Sequence, residues 1–145
     1  MIRPAVEADV PELVAMIHEL AEFENLSDQV VVTGDDLTRA LFGPGAVVSD
    51  TVVDLGDAGL AGHALWFRTF STFLGRTGIW LEDLYVRPEH RGQGIGASLL
   101  MHLRGQTSGR LEWEVLEWNA PAIDFYQRLG ARPMAGWTHY RWYDG

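Results

Sequence analysis

The segment Arg91-Gly92-Gln93-Gly94-Ile95-Gly96-Ala97 limits the fold more than any other stretch of this chain. Three glycines at alternate positions favour a tight bend over a regular strand or helix. Before the bend, Ile79 to Val86 is rich in aromatic and branched residues and reads as a strand. After it, Ile95, Leu99, Leu100 and Leu103 recur at helical spacing. A strand, a glycine bend and a helix start bring unpaired N–H groups together at the positive end of a helix dipole, where anionic phosphates bind. Arg91 adds a positive charge nearby. The alternative is the same bend with no ligand at all.

The rest of the chain supplies a mixed α/β order. Ile2 to Ala5 opens a strand. Asp9 with Glu12 has the form of a helix cap, and Val10, Leu13, Val14, Ile17, Leu20 and Ala21 then mark one buried helical face. Thr33 with Asp36 caps a short helix through Phe42, which Gly43-Pro44-Gly45 ends. Ala46 to Asp54 and Leu60 to Thr69 form strands joined by Gly56-Asp57-Ala58-Gly59. Leu111 to Leu116 reads as a strand, Pro121 to Leu129 as a helix closed by Gly130, and Trp137 to Tyr143 as a terminal strand. Antiparallel hairpins precede the strand–bend–helix unit, so a fully parallel doubly wound sheet is disfavoured. No repeat or linker divides the chain, and residues 1–145 read as a single domain.

Composition removes several chemistries. Cysteine is absent, and all 11 basic residues are arginine. Thiolate nucleophiles, Schiff-base lysines and a phosphate-binding Walker lysine are therefore excluded. The 20 acidic residues give a net charge of −9, which argues against nucleic acid as a partner and suits a cationic one. No apolar run approaches the roughly 18 residues that span a bilayer, and no secretory leader is visible, so no membrane partner and a cytoplasmic location are expected. The five histidines, His18, His63, His90, His102 and His139, have no metal-ligand spacing. No metal is expected.

Gly92-x-Gly94-x-x-Ala97 also fits a dinucleotide fingerprint, with Glu112 placed 20 residues beyond Gly92. Against that reading, Glu82 and Asp83 sit inside the preceding strand, whereas strands of a parallel sheet are usually apolar on both faces. The connection from Arg87 to Arg91 is also long for such a fold.

Residues 91–96, Arg-Gly-Gln-Gly-Ile-Gly, resemble the pyrophosphate-binding signature of the GNAT superfamily of acyl-CoA N-acyltransferases. Trp80-Leu81-Glu82-Asp83-Leu84-Tyr85-Val86 is similar to the strand before that signature, and residues 117–131 to the later strand–helix segment. Leu20-Ala21-Glu22-Phe23-Glu24 and Gln29-Val30-Val31-Val32-Thr33 resemble the diamine (spermidine/spermine) acetyltransferases and their thialysine-acetylating relatives. The resemblance implies a GNAT fold of the α/β (α+β) class. Its mixed, mostly antiparallel central sheet of six to seven strands would be flanked by helices and splayed at the acyl-CoA site. It implies acetyl-CoA as co-substrate, a small amine as acceptor and a homodimer as the assembly.

The resemblance also assigns residues. The backbones of Leu84, Tyr85 and Val86 would pair with the pantetheine arm as an added strand does. Arg91 and the N–H groups of Gly92, Gln93, Gly94, Ile95, Gly96 and Ala97 would hold the pyrophosphate, with Asn119 and Ala122 contributing to the cofactor site. Tyr126 would stand beside the thioester sulfur. Glu82 would accept the amine proton, and Phe23, Glu24, Asp83 and Trp137 would bind the amine. Each has a plain alternative: Asn119 a helix cap, Tyr126 a core aromatic, Glu82 and Asp83 solvated acids of an edge strand, Glu24 ordinary helix-end charge. The chain departs from the polyamine enzymes at Phe70-Ser71-Thr72-Phe73-Leu74, which lacks an acid and a tryptophan, and at Ala135, where an acid helps bind the distal amine. Both losses favour a short amine over spermine. A non-catalytic acyl-CoA-binding module and a nicotinamide-dependent oxidoreductase remain the alternatives, the first separated by a thiol-release assay, the second by dinucleotide binding.

Overall fold

The computed structural model describes residues 1–143. The elements run β1 (Ile2–Pro4), α1 (Val10–Phe23), α2 (Gly34–Phe42), β2 (Ser49–Asp54), β3 (Leu60–Ser71), β4 (Arg76–Val86), α3 (Ile95–Arg104), β5 (Leu111–Glu112) and α4 (Ala120–Arg128). The chain divides into two compact units, residues 1–114 and the segment from Val115 on.

In the first unit the five strands lie in the order β1-β2-β3-β4-β5. The first three pairings are antiparallel and β4–β5 is parallel. The expectation of six to seven strands is corrected to five among the described residues. Two elements account for the difference. The strand expected over Leu111 to Leu116 is only two residues long. Trp137 to Tyr143 forms no strand, and Trp137, Tyr140, Trp142 and Tyr143 are all exposed. Alternating aromatic and polar residues favour extended chain, but a strand exists only against a partner, and none pairs with this segment among the described residues.

The helices form where the sequence provides both a buried face and an end. Val10, Leu13, Met16, Leu37, Val52, Leu60, Leu65 and Tyr85 make one core between α1, α2 and a face of the sheet. Leu99, Leu100 and Leu103 of α3 are buried, and α3 packs on β3 and β4. Thr33 and Asp36 exchange reciprocal bonds at the start of α2: the Asp36 N–H donates to Thr33 Oγ1 at 3.1 Å, and the Thr33 N–H to Asp36 Oδ2 at 2.9 Å.

Asp9 and Glu12 behave differently from the expected cap. Asp9 makes no cap bond to α1; it accepts from the Val6 N–H at 2.8 Å and from Arg3 at 2.7 and 3.0 Å. Glu12 accepts from the Leu60 N–H at 3.0 Å and from Arg87 at 2.8 Å. Both acids thus tie α1 to the sheet. A charged neighbour outbids the helix end for each of them.

β4 is the strand that positions the chemistry. Its pairing with β5 covers only Ile79 and Trp80, so Leu81 to Val86 have no partner strand on that side among the described residues. On the other side Leu65 lies opposite Asp83 and Trp66 opposite Leu81. Glu82 is therefore the extra residue of a β-bulge, a feature that turns a side chain away from its regular direction.

Candidate acyl-CoA and amine site

The glycine bend has the form the sequence predicts. Gly92 and Gly94 have φ of +79° and +78°, a region that glycine enters without penalty. A Cβ built on either would meet nothing within 4 Å, so the bend opens onto free space. Gly94 is the N-cap of α3 and provides no side-chain cap. The N–H groups of the first turn, Ile95 to Ala97, are thereby left for an acceptor from outside the helix. Gly96 lies inside that turn without a positive φ. These features fit a pyrophosphate.

Arg91, at the start of the bend, reaches back to β4 and α1. Its Nε donates to the Val86 carbonyl at 2.8 Å, and its guanidinium lies 5.9 Å from the Phe23 ring centre and 5.5 Å from that of Tyr85. Cation–π contact with two rings holds it across the end of α1 and the end of β4. Tyr85 is further fixed by its hydroxyl donating to Glu19 at 3.1 Å. The backbones of Leu84, Tyr85 and Val86 lie on the stretch of β4 beyond its pairing with β5.

The acids gather nearby in the same unit. Glu82 is exposed, and its carboxylate accepts from the Trp80 indole at 3.1 Å. Asp83 is half-buried, and burial pushes its carboxyl above the ordinary aspartate value, with Glu82 and Asp50 adding to the rise and His63 opposing it. Glu24, the residue that closes α1, is pushed up by burial and by the charge of Asp83. Glu24 and Asp83 come from elements far apart in sequence, yet Glu24 feels the charge of Asp83. A cation between them would relieve both. Phe23, beside Glu24, is 47% exposed.

The sequence reading missed one polar pair. Asp50 of β2 and His63 of β3 are fully buried, with Nδ1 of the imidazole 2.9 and 3.1 Å from the two carboxylate oxygens. Thirteen residues separate them in the chain, and only the strand register brings them together.

Asn119 caps α4, its side chain accepting from the Ala122 N–H at 3.4 Å. The plain cap reading of Asn119 therefore holds. Tyr126 follows Ala122 by one helical turn, is half-buried, and its ring centre lies 5.5 Å from that of Phe125. Trp137 is 73% exposed. No helix among the described residues is long and apolar enough to cross a membrane.

The profile of the acetyltransferase (GNAT) family matches residues 16–131. The chain belongs to that family. It is an N-acetyltransferase acting on amines, and GNAT enzymes take the acetyl group from acetyl-CoA. A thialysine N-epsilon-acetyltransferase of Sus scrofa is 38% identical, the match covering 97% of this chain and 91% of the relative. An L-ornithine N5-acetyltransferase of Arabidopsis thaliana is 29% identical, with 94% and 81% covered. Among solved structures, an integron cassette protein from the mobile metagenome of V. cholerae superposes with a TM-score of 0.81 at 24% identity, over 99% of this chain and 92% of that one.

Proposed function

We propose that this GNAT enzyme acetylates the primary amine of a small cationic molecule, a diamine or a lysine-like amino acid, by direct attack on acetyl-CoA in a ternary complex. The observation that carries the substrate class is the set of carboxyl groups in the first unit: exposed Glu82, half-buried Asp83 next to it on β4, and Glu24 at the end of α1, which burial and the charge of Asp83 push up. Three carboxyl groups in one unit, two of them pushed up, make a place that a substrate ammonium stabilises. The relatives named for thialysine and ornithine both act on amino acids with a terminal amine. The missing acids at Phe70-Ser71-Thr72-Phe73-Leu74 and Ala135 favour such short substrates over spermine.

The chemistry assigns each residue a distinct task. An alkylammonium of pKa about 10.4 must lose a proton before it attacks, at a cost of about 4.6 kcal/mol at pH 7. Glu82, turned outward by the bulge and held by Trp80, takes that proton, directly or through water, and passes it to solvent. Asp83, Glu24 and Phe23 orient the amine, and the resemblance adds Trp137 to the amine-binding residues. Tyr126 serves the leaving thiolate. A tyrosine of pKa about 10 is a weaker acid than a thiol of about 8.5, so full proton transfer is uphill by roughly 2 kcal/mol. Hydrogen bonding by the phenol therefore carries much of its effect. The glycine bend, Gly92 to Ala97, holds the pyrophosphate, and the open stretch of β4 at Leu84, Tyr85 and Val86 pairs with the pantetheine arm. Arg91 braces Phe23 and Tyr85 at the junction of the two.

Direct attack in a ternary complex requires no covalent acyl intermediate, which fits the absence of cysteine. We infer a homodimer, supported by the exposed aromatic segment Trp137 to Tyr143, and a cytoplasmic location. Mass spectrometry of an amine panel (thialysine, lysine, ornithine, putrescine and spermine) incubated with acetyl-CoA tests the substrate class. The reading expects acetylation of a short amine; a clear preference for spermine defeats it.

A further inference from the structure

The buried Asp50–His63 pair has no part in the chemistry above, and its place in the sheet gives it one. Leu65 of β3 lies opposite Asp50 on β2 and opposite Asp83 on β4. The two acids therefore flank one residue of the middle strand, on one face. His63 stands two residues along β3 on that same face, diagonal to both. Its Nδ1 is taken by Asp50, on the β2 side. Its Nε2, on the opposite edge of the ring, is fully buried and has no hydrogen-bond partner among the described residues. β4, which carries Asp83, lies on the other side of β3 from Asp50.

We propose that His63, clamped by Asp50, is a positioning residue for Asp83: it stands as a positive charge behind the carboxylate that meets the substrate ammonium. The inference rests on the assignment of Asp83 to amine recognition.

Stability alone is a poor reason for such a pair. Exchanging a buried ion pair for apolar groups of similar volume is often neutral or stabilising. Val52 and Leu65, on the same face, show that apolar side chains pack there. What an apolar residue cannot supply is charge. The groups facing the imidazole are Asp50 from β2, Asp83 and Tyr85 from β4, and Arg87 just past β4. From α1, Glu12 and Glu19 are engaged with Arg87, and Glu19 also with the Tyr85 hydroxyl. Glu82 raises Asp83, and Asp83 in turn raises Glu24. Burial opposes a charged ring, but the carboxylates of Asp50 and Asp83 outweigh both burial and Arg87 and leave His63 above its ordinary value. Among the groups acting on Asp83, His63 is the one that favours its ionised form.

The consequence has a definite sign. Without the imidazolium, Asp83 holds its proton to higher pH, and less of it is anionic where the amine must bind. In the His63→Gln enzyme, the acid limb of kcat/KM for putrescine should move to higher pH; in Asp50→Asn, which also removes a carboxylate that raises Asp83, the move should be smaller. The putrescine KM should rise on the acid side of that limb, by about tenfold for each pKa unit the limb moves, and change little well above it. The acetyl-CoA KM should stay within about twofold. Linkage supplies a second readout that needs no change at His63 itself. If His63 favours ionised Asp83, then Asp83 favours protonated His63 by the same factor, so Asp83→Asn should lower the imidazole titration of His63 observed by NMR. Three results decide. An unmoved acid limb in His63→Gln, or an unmoved His63 titration in Asp83→Asn, overturns the inference. If Asp83→Asn raises the putrescine KM while His63→Gln lowers only the melting temperature, the inference fails and the amine site stands. If Asp83→Asn leaves the putrescine KM unchanged, the assignment of Asp83 falls, and the inference with it.

Discussion

At the scale of single residues, the account separates groups that meet the reacting atoms from groups that hold the fold. Tyr126 is assigned to the first class. Replacing it by phenylalanine keeps the ring beside Phe125 and removes only the hydroxyl. A fall in kcat on the order of 10²-fold or more is expected, with acetyl-CoA affinity measured by calorimetry nearly unchanged. Asp9 belongs to the second class. It is buried and accepts from Arg3 and from the Val6 N–H, and these contacts hold its carboxyl below the ordinary aspartate value. Its contribution to stability is present above the unfolded value near pH 4 and is lost as the pH falls through the lower folded value. Asp9→Asn should destabilise the protein by about 1–3 kcal/mol in urea titrations at neutral pH, since Arg3 and the Val6 N–H lose a charged acceptor. The difference from wild type should vanish as acid protonates Asp9. Residue types alone identified the Gly92–Ala97 bend, the Thr33–Asp36 cap and the paired acids of β4. They did not reveal which bonds Glu12 or His63 make, because each of those is to a residue brought close only by the sheet register or by α1 docking on the sheet; the bonds of Asp9 to Val6 and of Arg91 to Val86 are local, but depend on the path of the connecting chain.

At the scale of elements, the bend and the bulge decide what β4 presents. Gly94 needs its positive φ to begin α3, and Gly92 needs its own to turn the chain away from β4. Gly94→Ala places an L-residue at φ +78° with open space around the new Cβ. The whole effect is therefore backbone strain, about 1–2 kcal/mol. It should appear as a lower melting temperature together with weaker acetyl-CoA binding; unchanged binding would separate the bend from the cofactor. Most elements follow from periodicity and end signals. The exceptions share one cause. The β4 bulge at Glu82, the two-residue β5 and the unpaired Trp137 to Tyr143 all depend on what lies alongside, and local sequence says little about a neighbouring strand.

For the whole molecule, the family match over residues 16–131 runs through both units. We infer that they work as one N-acetyltransferase domain. A single calorimetric unfolding transition, raised by acetyl-CoA, is the expected result; two independent transitions of which one ignores the ligand would oppose it. The net charge of −9 favours encounter with a cationic amine, so kcat/KM for the amine should fall as salt rises more steeply than it does for acetyl-CoA. Steady-state kinetics should show intersecting patterns for the two substrates, as a ternary complex requires, and sedimentation at micromolar protein should show a dimer. The most direct test of the central claim is free-thiol release from acetyl-CoA, followed with and without a short primary amine. The account predicts release that depends on the amine, matched mole for mole by a product one acetyl group heavier and suppressed in Glu82→Gln. Release that ignores the amine, or none with any member of the panel, would contradict it.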